Sequence, residues 1–152
     1  MEEDRLSWPQ YFMSLAKVVA QRGTCPRLKV GSVIVKDKHI ISTGYNGVSS
    51  GGKHCIESGC YIEDGHCKKA IHSEVNAVMS AGDRCRYSTI YVTHNPCLNC
   101  MNVLINAGVK HIIYGELYKV VSYQDILGHS NNTMPDITQL YVDIPDESIA
   151  RE

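Results

Sequence analysis

An α/β fold, a mixed sheet with helices on both faces, is what this chain predicts. Three observations carry that reading. Apolar residues recur at helical spacing in one long stretch and in shorter ones. Several runs rich in β-branched residues have the length of strands. Taken in order the elements alternate, αββαβαβαβ, which places helices between neighbouring strands.

Each element has its own signals. Ser7 can cap a first helix, with Pro9 in its first turn. Phe12, Leu15, Ala16 and Val19 follow at helical spacing, and Arg22-Gly23 is the stop. Val30 to Val35 and His39 to Thr43 read as strands joined by Lys36-Asp37-Lys38, a hairpin. Gly44-Tyr45-Asn46-Gly47 ends the second strand. Gly51 to Lys69 is irregular and rich in Gly, Cys and His; a loop this long needs something to order it. His72 to Ala81 reads as a helix with Val75, Val78 and Met79 inward, closing at Gly82. Thr89 to Thr93 is a strand. Cys97 to Ala107 is a second short helix, stopped by Gly108. Lys110 to Tyr114 is a strand, Tyr123 to Leu127 a helical turn or two, and Ile137 to Val142 a last strand. The tail after Pro145 is expected to be loose.

Composition narrows the class. At 152 residues the whole chain fits one domain with a full core. Fifteen Lys and Arg against sixteen Asp and Glu leave a formal charge of −1, without the basic stripe of a nucleic-acid binder. No apolar run approaches the roughly 20 residues that span a membrane. Met1-Glu2-Glu3-Asp4-Arg5 begins acidic, with no apolar stretch of a secretory signal. The expected location is the cytoplasm, or a host's cytoplasm if the chain is viral. Seven cysteines in such a chain read as metal ligands before disulfides.

The most informative residues are His72-Ser73-Glu74 followed by Pro96-Cys97-Leu98-Asn99-Cys100. The pattern H-x-E…P-C-x-x-C resembles that of zinc-dependent nucleobase deaminases. A catalytic zinc takes three protein ligands and keeps a fourth position for water; His72, Cys97 and Cys100 supply the three. Both ligand groups sit at expected helix starts, where N–H groups and the helix dipole favour thiolates. Glu74, two residues from a ligand, is placed to move protons: from the activated water to ring N3 of a cytosine, then to the amine leaving C4. Alone, Glu74 would be a first-turn carboxylate and a C-x-x-C a structural or redox pair; the combination points to hydrolytic deamination.

Further stretches extend the likeness: Thr24-Cys25-Pro26-Arg27, Gly44-Tyr45-Asn46-Gly47, Gly51-Gly52-Lys53-His54-Cys55, Gly65-His66-Cys67 and Tyr91-Val92-Thr93-His94-Asn95. Over roughly residues 7–130 the chain resembles the deoxycytidylate (dCMP) deaminases of the cytidine deaminase superfamily. Ser73 departs from the alanine usual there. The resemblance implies a three-layer α/β/α fold with a five-stranded sheet, and a product, dUMP, that supplies dTMP synthesis. It implies that Asn46 hydrogen-bonds the sugar and that Tyr118 covers the nucleotide. It also implies a homo-oligomer, a hexamer, activated by dCTP carried with Mg²⁺ and inhibited by dTTP. Tyr45, Gly47, Arg27 and Lys29 are the effector candidates, and Arg27 and Lys29 are also candidates for the substrate phosphate.

Cys25, Cys55, Cys60, His66 and Cys67 lie outside the catalytic pattern. Closed zinc sites use four Cys or His ligands, and such a site would order residues 51–69. Cys25, Cys55, Cys60 and Cys67 are the expected set, with His66 as the alternate. Cys85 is left over as a small apolar residue. The rival readings are a non-catalytic zinc module, a tRNA adenosine deaminase, a nucleoside deaminase, and an enzyme that uses both dCMP and dCTP. Near-neutral charge opposes tRNA.

Overall fold

The structure is a computed structural model that describes residues 5–143; the tail expected to be loose beyond Pro145 lies outside them. Helix α1 covers Trp8–Ala20. Ser7 caps it in a reciprocal pair: its Oγ accepts from the Gln10 N–H at 3.3 Å, and Gln10 Oε1 accepts from the Ser7 N–H at 2.9 Å. Strands β1 (Gly31–Lys36) and β2 (His39–Tyr45) form the expected hairpin, turned by Asp37 and Lys38, both in the left-handed region. Helix α3 (Ser73–Ala81), strand β7 (Thr89–His94), helix α4 (Leu98–Ala107) and strand β8 (His111–Glu116) follow as predicted. Helix α5 covers Tyr123–Leu127. The last strand, β9, is Asp136–Gln139. It is shorter than predicted because the chain leaves the sheet after Leu140, whose N–H donates to the Tyr114 carbonyl at 2.8 Å.

The sheet is mixed and five-stranded, in the order β2-β1-β7-β8-β9. β1 is antiparallel to both neighbours; β7, β8 and β9 run parallel. Side chains alternate across it. Val33, Val35 and Tyr91 meet Phe12, Met13 and Ala16 of α1 on one face. Ile34, Ile90, Val92 and Ile112 meet Ala77 and Ala81 of α3, Met101 and Leu104 of α4, and Tyr123 of α5 on the other. This is the three-layer α/β/α arrangement that the resemblance implied. Among the described residues no helix is long and apolar enough to cross a membrane.

Two departures from the sequence reading bear on the site. Helix α3 does not turn Met79 inward; that side chain is 71% exposed. Its buried residues are Ser73, Glu74, Ala77 and Ala81. The cause is close approach: a Cβ on Gly44 would stand 2.2 Å from the Ser73 carbonyl oxygen and 2.5 Å from the Ala77 nitrogen. Only a face of small residues fits so near the sheet, and that face carries Glu74 inward. The second departure is the stretch expected to be irregular. Between Gly51 and Lys69 it holds the short helix α2 (Cys55–Ser58) and a hairpin of β4 (Ile62–Glu63) and β5 (His66–Cys67), and it is flanked by strands β3 (Gly47–Val48) and β6 (Ala70–Ile71), which pair with each other.

Candidate active site

His72 and Cys97 are the N-cap residues of α3 and α4. Because these helices lie side by side on one face of the sheet, their starting ends meet. His72 Nδ1 lies 3.5 Å from Cys97 Sγ and 3.3 Å from Cys100 Sγ. Zinc bonds of about 2.3 Å to sulfur and about 2.0–2.1 Å to nitrogen, at tetrahedral angles, place such donors about 3.6 Å apart. The three side chains would therefore fit one zinc ion, and all three line the adjoining cavity.

The electrostatics agree. The Cys97 thiol is drawn down to about 4, first by its hydrogen bond with Cys100 and then by His72 and the Cys100 N–H, against the cost of burial. The Cys100 thiol is pushed far up by its contact with Cys97, by burial and by Glu74. His72 is raised by its bond to Cys97, against burial. Two sulfurs thus compete for one negative charge, and a divalent cation among the three donors stabilises both thiolates together. Glu74, 4% exposed, is raised by burial; hydrogen bonds from Ser73 and from its own N–H pull the other way.

A cavity of about 700 Å³ opens beside these groups. His72, Glu74, Cys97 and Cys100 line its floor, and residues of the 66–71 and 118–121 segments line its walls. Asn95, missed in the sequence reading, fixes the second wall. Its Oδ1 accepts from the Tyr118 N–H at 2.7 Å and its Nδ2 donates to the Lys119 carbonyl at 2.6 Å. Tyr123 locks Asn95 and the Pro96 carbonyl together from below. His94 was missed as well. Thr93 Oγ1 accepts from the Gly31 N–H at 3.2 Å and donates to His94 Nδ1 at 2.9 Å. That leaves the Nε2–H facing Glu116 Oε2 at 3.3 Å, while the ring meets Tyr118 edge-on. Burial lowers the His94 pKa, with Glu116 opposing. The only sequence signal for Asn95 and His94 was their place just before Pro96-Cys97.

Other expected residues fall less simply. Asn46 lines the cavity, but its Oδ1 accepts from the Val30 N–H at 2.8 Å and its Nδ2 donates to the Leu28 carbonyl at 2.6 Å, so it braces the chain entering β1. Tyr118 stands at the rim, 70% exposed. Arg27 and Lys29 do not line the cavity. Leu28 and Val30 do, while Arg27 and Lys29 are exposed, and Arg27 donates to the Gly65 carbonyl at 3.3 Å. The lysines that reach the cavity are Lys68 and Lys119, neither of which the sequence singled out.

Outside the cavity floor the ligating atoms of Cys55, Cys60 and Cys67 lie within 4.8 Å of one another. Cys25, the fourth of the expected set, and His66, its alternate, do not join them. Cys25 is buried in the loop after α1, and His66 neighbours Cys67 on a strand, where successive side chains face opposite ways. Tyr45 and Gly47 flank Asn46 at the end of β2 and start of β3.

Fold and site together define a zinc-dependent deaminase. The family model of the cytidine and deoxycytidylate deaminase zinc-binding region matches residues 6–116, and the chain belongs to that family. It is 42% identical to ComE operon protein 2 of Bacillus subtilis over 147 residues, covering 93% of this chain and 78% of that protein. It is 36% identical to a deoxycytidylate deaminase of Saccharomyces cerevisiae over 124 residues, covering 76% of this chain and 40% of that protein. Among solved structures, dCMP deaminase from the cyanophage S-TIM5 in complex with dCMP and dUMP superposes with a TM-score of 0.72 at 29% identity. That match covers 86% of this chain and 95% of the phage chain.

Proposed function

We propose that this chain converts dCMP and water to dUMP and ammonia, supplying dTMP synthesis. The observation that carries the reading is the buried Glu74 beside three zinc donors at the floor of a nucleotide-sized cavity. The likeness to a phage enzyme solved with dCMP and dUMP supports the choice of substrate. Zinc held by His72, Cys97 and Cys100 supplies Lewis acidity, lowering the pKa of a coordinated water from about 15.7 to about 7. Glu74 does the proton work, accepting a proton, giving it to N3 of the base, and helping protonate the amine that leaves C4. Its raised pKa suits a group that must hold a proton between those steps. Asn46 faces the sugar from the wall and Tyr118 covers the opening. Glu74→Gln keeps zinc and fold but lowers kcat by about 10²–10⁴, since an amide carries no proton. Near wild-type turnover in that variant, read as ammonia release, would remove Glu74 from the role.

The 5′-phosphate falls to Lys68 and Lys119, the lysines of the two walls. Lys119→Ala should raise KM for dCMP about tenfold at little cost in kcat, and leave deoxycytidine kinetics unchanged. An equal rise for both substrates would assign Lys119 to the wall alone. The same kinetics with dCTP decides whether the triphosphate is a second substrate.

The Cys55, Cys60 and Cys67 thiols hold a second, structural zinc in this proposal. Cys55 and Cys67 sulfurs stand 3.9 Å apart, close to the roughly 3.8 Å edge of a tetrahedral zinc–thiolate site. Burial raises the Cys55 thiol to about 11, while backbone N–H groups of Ala70, Lys69 and Tyr61 draw Cys67 down to about 7 against its own burial. Cys25 or His66 would have to move to complete it. Elemental analysis should give two zincs per chain and one in Cys55→Ala, with the catalytic ligands unchanged. One zinc in fully active protein contradicts the second site.

Regulation completes the proposal: a homohexamer in the cytoplasm, activated by dCTP with Mg²⁺ and inhibited by dTTP. Arg27 and Lys29 are exposed beside the Tyr45-Asn46-Gly47 turn, where a triphosphate could meet both cations and N–H groups. Coupling of about 1–3 kcal/mol would make dCMP kinetics sigmoidal, hyperbolic with dCTP and steeper with dTTP. Hyperbolic kinetics at every dTTP level, with a monomeric mass by light scattering, would exclude it.

A further inference from the structure

Ser73 separates the ligand His72 from Glu74 and is fully buried at the start of α3. Its Oγ lies 2.6 Å from Glu74 Oε1 and 2.7 Å from Ser32 Oγ. Ser32, also fully buried, stands on β1, an interior strand of the sheet. The donor directions follow from the hydrogens available. An ionised carboxylate only accepts, so the Ser73 hydrogen goes to Glu74. Each hydroxyl has one hydrogen, so Ser32 fills the contact between the serines by donating to Ser73. The bonds run one way, from Ser32 to Ser73 to Glu74. Neither serine is exposed, so the chain of hydroxyls leads no proton to solvent; it is an anchor.

A glutamate carboxylate rotates about its last torsion in a broad, two-fold well. In water the two oxygens exchange freely. Here Oε1 carries a short bond from a hydroxyl polarised by a second hydroxyl, in surroundings where charge-assisted bonds are strong and reinforce one another. We propose that Ser73, braced by Ser32, is a positioning residue that fixes the rotation of the Glu74 carboxylate. Oε1 becomes the anchored oxygen and Oε2 the one that exchanges protons with water and base. The inference rests on the deaminase reading above for its kinetic consequence, and on the hydrogen-bond geometry alone for its structural one.

The test uses the zinc-loaded full chain with Ser73→Ala, Ser32→Ala and the double variant. Alanine is smaller than serine and fits both sites, and zinc content and melting temperature are recorded for each variant. Ser73→Ala should lower kcat on dCMP about tenfold, the equivalent of about 1.4 kcal/mol, with KM unchanged. Ser32→Ala should lower it less. The double variant should be no slower than Ser73→Ala, because Ser32 acts only through Ser73. A second readout needs no turnover: the ¹³C-carboxyl resonance of Glu74 in glutamate-labelled protein, assigned by its loss in Glu74→Gln. It should shift in Ser73→Ala and shift less in Ser32→Ala. An unmoved resonance with unchanged kcat in Ser73→Ala overturns the anchor, as does a Ser32→Ala penalty that is the same with and without Ser73. If wild-type protein released no ammonia from dCMP, the substrate reading would fail, while the carbon shift would still report the anchor.

Discussion

Strand β1 is buried on both faces, and the site is measured from it. Its odd positions serve α1: Val33 and Val35 pack there, and Gly31 lets the helix come so close that a Cβ would meet the Ala16 carbonyl oxygen at 2.1 Å. Its even positions serve α3: Ile34 joins that core and Ser32 touches Ser73. The pairing of Ser32 with Val92 sets where β7 ends, and so where α4 begins. A slip of one residue would exchange the two faces. It would put Ser32 against α1 and separate His72 from the two cysteines. Burial on both faces forbids the slip, because every alternative register exposes or strands an apolar side chain.

With the helix starts fixed, the electrostatics of the site follow. Each helix start carries a partial positive charge of roughly half a unit. Three groups able to bear negative charge converge on that field: Cys97, Cys100 and Glu74. The shifts in opposite directions at Cys97 and Cys100 are the sign of their conflict. A divalent cation with two thiolates and a neutral imidazole sums to zero charge. Glu74 then remains the ionisable group at the site whose charge no ligand bond fixes, in a place where burial opposes ionisation. That combination is what the proton-shuttling role proposed for Glu74 requires.

The elements that shape this centre were legible from residue order, because caps, turns and alternation are local. Ser7, Asp37-Lys38 and Gly108 mark ends that the structure places within a residue or two of the prediction. The cluster of His72, Cys97 and Cys100 was legible because donor type and spacing are chemical facts of the chain. The face of α3 was not. Val75 and Met79 are the more apolar choices, but Gly44 across the gap admits only the small residues and Glu74. That constraint comes from a strand some thirty residues away and leaves no periodic signature. That Arg27 and Lys29 lie outside the cavity was hidden for a related reason: a cation near a turn is visible in sequence, and the direction it points is not. Asn95 acts through the backbone of Tyr118 and Lys119, a contact across two parallel strands that no spacing predicts.

The cysteine-rich segment shows why a loop of this length is ordered at all. The sheet ends at Tyr45, yet the cavity needs a wall beyond that edge. Strand β6 supplies it, running directly into His72 and pairing only with two-residue β3, next to Asn46. Two backbone pairs cannot hold such a wall by themselves. The segment before it closes on itself instead, bringing Cys55 and Cys67 to 3.9 Å with Cys60 beside them. Lys68 and Ala70, just after Cys67, line the cavity. The thiol cluster stands at one end of the wall and His72 at the other, with four residues between. A zinc ion at the cluster, as proposed above, would substitute for the hydrophobic burial that so exposed a segment lacks, and would tie the position of His72 to both ends.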